Sequence, residues 1–146
     1  MNPLIEEFIN CKRIAVVGMS RNGKKFGNIV AKELKGKGYE IYPVHPVAGE
    51  IDGFKCWPDL VGLEGKVDAL FVSVPPANVS PVLEQAASVG LKNIWLQQGT
   101  WSNEVGQTVD RLKLSVVSEK CIMMYAPPVK SIHRFHRTIS GWFGKL

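Results

Sequence analysis

An α/β fold on a five-stranded parallel sheet follows from three features of the 146-residue sequence. Short runs rich in β-branched and aromatic residues alternate five times with segments whose apolar residues recur at three- and four-residue spacing. The strand-like runs are mostly apolar, as expected of strands covered on both faces. The links are short, and right-handed crossovers between successive strands make the pairing parallel. Helices on both faces of such a sheet give the doubly wound, Rossmann-like architecture, and the expected strand order is 3-2-1-4-5.

Each element has its own local signal. Residues 2–10 read as a short helix, with Asn2 as N-cap, Pro3 at the first helical position and Glu6 and Glu7 near the positive end. Residues 13–17 (RIAVV) form the first strand and end at Gly18. Phe26, Ile29, Val30 and Leu34 place a helix over 26–37, with Gly36 and Gly38 near its stop. Residues 40–44 (EIYPV) form the second strand, and 51–63 read as irregular, with a turn at Asp52-Gly53. The third strand spans 67–74 and stops at Pro75-Pro76. A helix follows over 78–89 with Gly90 just past its end, then the fourth strand at 93–96. A helix over 103–114 capped by Asn103 and a fifth strand at 115–117 complete the pattern, and residues 129–143 form a last helix after Pro127-Pro128. The domain is expected over residues 1–126, and 127–146 form a separate C-terminal segment.

Composition removes several function classes. With 45% hydrophobic and 21% charged residues the chain is neither disordered nor fibrous. Cys11, Cys56 and Cys121 are too few for a disulfide framework and include no C-x-x-C pair, and the three histidines sit in no metal-ligand spacing, so no metal is expected. No apolar run approaches the ~20 residues of a membrane span. The opening MNPLIEEFINCKR lacks the apolar core of a signal peptide, so a cytoplasmic location is expected. The net charge of +5 is carried largely by Lys130, Arg134, Arg137 and Lys145, with no acid beyond residue 129. A nearly neutral body argues against extended nucleic-acid contact.

Ligands of an open parallel sheet bind beyond the carboxyl ends of the strands, where the order reverses. Four loops leave those ends: Gly18-Met19-Ser20, Val44-His45-Pro46, Ser73-Val74-Pro75-Pro76 and Gln97-Gln98-Gly99. The first continues through Arg21, Lys24 and Lys25 into a helix opened by Phe26 and Asn28. Gly18 permits a sharp turn, the helix start offers N–H groups to a phosphate, and three cations stand beside it. A dinucleotide fingerprint would read G-x-G-x-x-G, but Ser20 stands at its second glycine. The ribose-binding acid expected ~20 residues on is replaced by Val44-His45-Pro46.

Taken together, Gly18-x-Ser20, Tyr42-Pro43-Val44-His45-Pro46, Val74-Pro75-Pro76 and Ile94-Trp95-Leu96-Gln97-x-Gly99 resemble the stand-alone CoA-binding domain proteins. These are small relatives of the N-terminal CoA-binding domain of the succinyl-CoA synthetase α subunit. The resemblance covers roughly residues 10–125. The family usually reads Val-Asn-Pro after the second strand, where this chain has His45, and Gln98 stands where Pro or a small residue is common. The resemblance implies coenzyme A as ligand. Its pyrophosphate and 3′-phosphate match Arg21, Lys24, Lys25 and the Gly18–Ser20 backbone. Val44–Pro46 would wall the adenine, Pro75 and Pro76 would rest the adenine or pantetheine arm, and Gln97–Gly99 would bound the far end.

Other residues keep two readings at this level. Cys121 either forms a mixed disulfide with CoA or is an inert thiol. His45 either serves as a base or packs beside Pro46. Asp68 reads as an edge or turn residue. The apolar stripe Ile132, Phe135, Ile139, Trp142 and Phe143 packs on its own domain, joins a homodimer or partner, or lies on an acidic membrane surface. No catalytic set can be assigned. Complete CoA ligases also carry nucleotide-grasping and phosphohistidine segments that 146 residues do not accommodate. Binding of CoA or a short acyl-CoA without chemistry is therefore the expected role. The alternatives are an NAD(P)-binding oxidoreductase and a nucleotide-sensing regulatory protein using the same pocket.

Overall fold

The computed structural model describes residues 2–125. The helix expected over 129–143, and with it the separate segment 127–146, lies outside the described residues. Helix α1 (Pro3–Ile9) starts as expected, the Asn2 side chain accepting from the Leu4 N–H at 2.8 Å. Strand β1 (Arg13–Val17), helix α2 (Phe26–Gly36) and strand β2 (Glu40–Val44) follow. The segment read as irregular contains a two-stranded hairpin, β3 (Glu50–Ile51) and β4 (Phe54–Lys55), and a 3-10 turn at Val61–Leu63. Then come β5 (Ala69–Val72), α3 (Val79–Ser88), β6 (Asn93–Gln97), α4 (Asn103–Arg111) and β7 (Val116–Lys120).

Helix ends obey local capping rules. Gly90 closes α3 as expected: its N–H donates to Ala87 O at 3.2 Å and the Leu91 N–H to Ala86 O at 3.0 Å. Two boundaries of α4 differ from the sequence reading. Its N-cap is Ser102, whose hydroxyl accepts from the Val105 N–H at 3.1 Å, with Asn103 already inside the helix. It stops at Arg111 because Lys113 turns left-handed (φ 55°) and the Leu114 N–H closes onto Val109 O at 3.0 Å.

The five long strands are all parallel, in the order β2-β1-β5-β6-β7. Counted along the chain this is 2-1-3-4-5, so the expected order 3-2-1-4-5 is corrected. Pro43 supplies the physical reason. A central strand must donate on both sides, and proline has no N–H, so β2 belongs at an edge. There the Pro43 carbonyl accepts from the Trp57 N–H at 2.9 Å. Every residue of β5, by contrast, is buried, which suits the centre. The third strand therefore pairs directly with the first, Ile14 with Ala69 through Val17 with Val72.

Alternation along the strands feeds two cores. Ile14, Val16, Ala69, Phe71, Trp95 and Val117 pack with α1 and α2 through Ile5, Phe8, Val30 and Leu34. Ala15, Leu70, Val72, Ile94 and Leu96 pack with α3 and α4 through Val79, Leu83, Val105 and Val109. Trp95 anchors the first core: fully buried, it meets Phe8 edge to face at 5.3 Å and donates its indole N–H to Lys120 O at 3.1 Å.

At the amino ends of the strands, away from the loops singled out above, Arg13 binds Asp68 with Nη2–Oδ1 at 2.8 Å and Nε–Oδ2 at 3.2 Å. These bonds hold the Asp68 carboxyl below its ordinary range. Asp68, read as an edge or turn residue, forms a bend immediately before β5. A carboxylate with a depressed folded pKa contributes stability above its unfolded pKa and loses it as pH falls through the folded value. Asp68→Asn is accordingly expected to lower the urea midpoint near neutrality. The gap to the parent should close as pH falls through the depressed folded value, below the ordinary carboxylate range. A gap that persists in acid would show that Asp68 acts by something other than its charge.

Candidate functional site

The strand registers bring four loops to one rim. Val17 pairs with Val44 and with Val72, and Val72 pairs with Leu96. The residues that follow these four positions therefore emerge side by side at the carboxyl edge. The corrected order matters here, because the chain reverses between β1 and β5 and the crevice opens between them. In the expected order the third loop would sit about 10 Å from the first, two strand spacings away. Instead they touch, with the Ser73 N–H donating to Val17 O at 2.9 Å.

Two glycines allow this contact. Gly18 adopts φ 128°, and a Cβ there would lie 2.2 Å from Ser73 O. A Cβ on Gly27 would lie 2.4 Å from Gly18 O and 2.7 Å from its carbonyl carbon. The end of β1 is thus sandwiched, backbone against backbone, between the Ser73 loop and the first turn of α2. Gly27 escaped the sequence reading. The signal was a glycine in the first turn of a helix, where it is a poor helix former.

The loop between them is tightly bonded. Asn28, completely buried, accepts on Oδ1 from the Ser20 N–H at 2.8 Å and donates from Nδ2 to Ser20 O at 3.0 Å. The Ser20 hydroxyl donates to Asn22 Oδ1 at 2.6 Å, and the same oxygen accepts from the Lys24 N–H at 2.9 Å. Arg21, Lys24 and Lys25 are exposed and form no ion pair among the described residues. Lys25 is the N-cap of α2, and no side chain caps the helix start. Residues 18–32 contain four basic residues and no acid. An open helix start and unpaired cations make this corner anion-attracting.

The other loops are held from behind. His45 Nδ1 accepts from the Val47 N–H at 3.2 Å and the Ala48 N–H at 2.9 Å. This is the bonding an Asn side-chain oxygen would supply, so the ring acts as an equivalent acceptor for its own turn. The His45 N–H donates to Trp57 O at 2.9 Å, so Trp57, also missed in the sequence, backs this wall. Val74 packs against the α3 and α4 core, Pro75 is exposed, and Pro76 begins a 3-10 turn ending at Asn78. Phe26, at the mouth, is 39% exposed. Met19 is packed in the core. The Gln97 side chain is buried, and its Oε1 accepts from the Ile122 N–H at 3.0 Å. Exposed Gln98 and Gly99 form the outer turn, closed by the Thr100 N–H onto Gln97 O at 3.1 Å. Cys121, half-buried, follows the end of β7 beside this turn. Cys11 lies near Asp68, where burial, then the charges of Asp68 and Glu7, push its thiol up to about 11.

Among the described residues, no group of three His, Cys, Asp or Glu is placed to hold a metal. No helix among them is long and apolar enough to cross a membrane.

A doubly wound sheet with a basic loop and an open helix start at its switch point has the layout of α/β domains that hold phosphate-bearing ligands. Residues 12–127 match the CoA binding domain family, and the chain belongs to that family. It is 29% identical over 136 residues to an ADP-forming acetate–CoA ligase of Methanocaldococcus jannaschii, covering 92% of this chain and 19% of that protein. The chain thus spans about a fifth of the length of that ligase. It is 32% identical over 111 residues to the uncharacterized protein YneT of Bacillus subtilis, covering 76% of this chain and 82% of YneT. A solved structure of a conserved hypothetical protein from Pyrococcus furiosus superposes with a TM-score of 0.72 at 37% identity, covering 77% of this chain and 97% of that one. The resemblance read from the four loops is confirmed.

Crowding at Gly27 yields a paired test. Gly27→Ala should cost about 1–3 kcal/mol, the range for overpacking a close contact, and shift the Met19 and Ser20 amide resonances. Gly36 lies in the same helix with nothing within 4 Å of its added Cβ. Gly36→Ala should be neutral or stabilising by up to about 1 kcal/mol. Chemical denaturation compares the two, and equal effects would rule out the backbone sandwich as the cause.

Proposed function

We propose that this chain binds coenzyme A, or a short acyl-CoA, across the carboxyl ends of β1, β5 and β6, and holds it without performing chemistry on it. The supporting observation is the corner at Gly18–Asn28: a pre-shaped loop, an uncapped helix start and three exposed cations without ion pairs among the described residues, in a chain of the CoA binding domain family.

The residues present suit the ligand. The start of α2, at Phe26 and Gly27, offers N–H groups to the pyrophosphate, and the Gly18–Ser20 backbone lets it approach closely. Arg21, Lys24 and Lys25 meet the remaining phosphate charge, a larger demand than NAD makes. Val44, His45 and Pro46 wall the adenine. Ser73 and Val74 floor the crevice, and Pro75 and Pro76 give the pantetheine arm an apolar rest. Gln98 and Gly99 bound the far end, positioned by buried Gln97, while Met19 and Asn28 shape the loop from below.

A nicotinamide nucleotide fits less well. His45 occupies the position of the ribose-binding acid, with Nδ1 engaged by its own turn. A second reading draws on the archaeal ligase, in which a matching segment is a fifth of a larger enzyme. On that reading the domain presents CoA to an acyl-transfer partner. The location proposed is cytoplasmic.

Thermal denaturation with a panel of ligands tests the proposal. CoA at a hundredfold excess over its Kd should add about 2.7 kcal/mol and raise the Tm by several degrees. NAD, NADP and ATP should leave it in place. A shift with NAD and none with CoA would reverse the assignment. Lys24→Ala with Lys25→Ala should weaken CoA tenfold or more, since a single charge-assisted hydrogen bond already carries ~1.5–3 kcal/mol. The double variant should also bind with less salt dependence, measured by calorimetry from low to high ionic strength. Unchanged affinity would remove the phosphate role from these lysines.

A further inference from the structure

We propose that Asp52, at the tip of the β3–β4 hairpin, is the positioning residue that sets the shape of the Ser20–Lys24 loop, acting through Asn28. The ligand arm of this inference rests on the CoA reading above; the loop arm does not.

The geometry is specific. Asn28 Nδ2 donates to Asp52 Oδ2 at 2.8 Å and to Ser20 O at 3.0 Å, while Asn28 Oδ1 accepts from the Ser20 N–H at 2.8 Å. A buried amide can be placed in either of two orientations, oxygen and nitrogen exchanged. Asp52, an acceptor with no proton to donate when ionised, is compatible with one of them. It holds the NH2 toward itself, which turns the carbonyl oxygen toward the Ser20 N–H. In the exchanged orientation Asn28 would present oxygen to oxygen at Asp52 and at the Ser20 carbonyl, and hydrogen to hydrogen at the Ser20 N–H. The carboxylate also lies against the turn itself, with Oδ1 3.1 Å from where a Cβ on Gly23 would stand.

The hairpin is built as a support. Ile51 and Phe54, flanking the tip, are 2% and 8% exposed and belong to the core beneath α2. Asp52 itself is left-handed (φ 52°), and its side chain is only 18% exposed. Lys32 Nζ, 3.7 Å from Oδ2, offsets its charge from the helix side.

An acid behind an anion-binding loop is electrostatically unfavourable for the ligand. That opposes the two effects of Asp52 and makes them separable. If only charge mattered, removing the carboxylate would tighten CoA. If the hydrogen bond to Asn28 matters, removing it loosens the loop and weakens CoA.

Asp52→Gly removes the carboxylate and still accepts the left-handed backbone. Asp52→Asn keeps an acceptor oxygen and also tolerates that conformation. In the ligand-free protein, Asp52→Gly should speed hydrogen exchange at the Ser20 and Gly23 amides roughly tenfold or more, the scale of one charge-assisted hydrogen bond. Asp52→Asn should leave both amides near the parent rate. By calorimetry, Asp52→Gly should weaken CoA by about tenfold, while Asp52→Asn should bind within about twofold of the parent or tighter. An Asp52→Gly variant that binds CoA as well as the parent, or leaves the two amides protected, overturns the inference. So does an Asp52→Asn variant that behaves like Asp52→Gly. If the parent protein takes up no CoA, the functional reading fails while the exchange measurement still decides the role of Asp52.

Discussion

A contact with no side chains in it governs this structure. The end of β1 lies between the Ser73 loop and the first turn of α2, and there is no room for a Cβ at Gly18 or Gly27. That closeness aims the open start of α2 over the crevice. A larger residue at Gly27 would push helix and strand apart and take the N–H groups away from the rim, and one at Gly18 would drive the Ser73 loop from the end of β1. The core on the α1 and α2 side, with Val30, Ala31 and Leu34 against Ile14, Val16 and Phe71, then holds the helix in that pose.

Sheet order decides which loops share the rim. With β2 at the edge and β5 beside β1, the Gly18 and Ser73 loops become immediate neighbours, and the Gln97 loop stands next in line. The outer side of β2 is finished by Trp57, which supplies both the donor to Pro43 O and the acceptor for the His45 N–H. One residue thus blunts the sheet edge and steadies the Val44–Pro46 loop. The chemistry of the edge and the shape of the crevice are linked through a single segment.

Charge and hydrogen bonding divide the work within the loop. The cations lie outward, without ion pairs among the described residues, while the bonds that shape the backbone lie inward at Asn28 and Asp52. A loop ordered before its ligand arrives loses less conformational entropy on binding. The same division appears at His45 and Gln97, whose acceptors serve neighbouring backbone N–H groups. Family membership and this arrangement support one reading, a phosphate-bearing CoA ligand held by backbone and cations with its apolar parts against proline.

Much of this was legible in residues near one another. The Asn2 cap, the Gly90 stop, the two-faced apolar strands and the four rim loops follow from short-range rules of capping and periodicity, and each is found where those rules put it. Pro43 also carried the strand order, but only if its missing N–H is weighed against the demands of a central strand. Other features were not local. The bond from Asn28 to Asp52 spans 24 residues, and the inward turn of Gln97 depends on the Ile122 N–H, 25 residues away. Sequence alone determined which segments are strands and helices and which loops carry positive charge, because hydrogen bonding and side-chain period act within a few residues. Only the tertiary structure decided which strand lies at the edge, which polar groups face inward and which face the crevice, because those depend on which distant groups share a buried space.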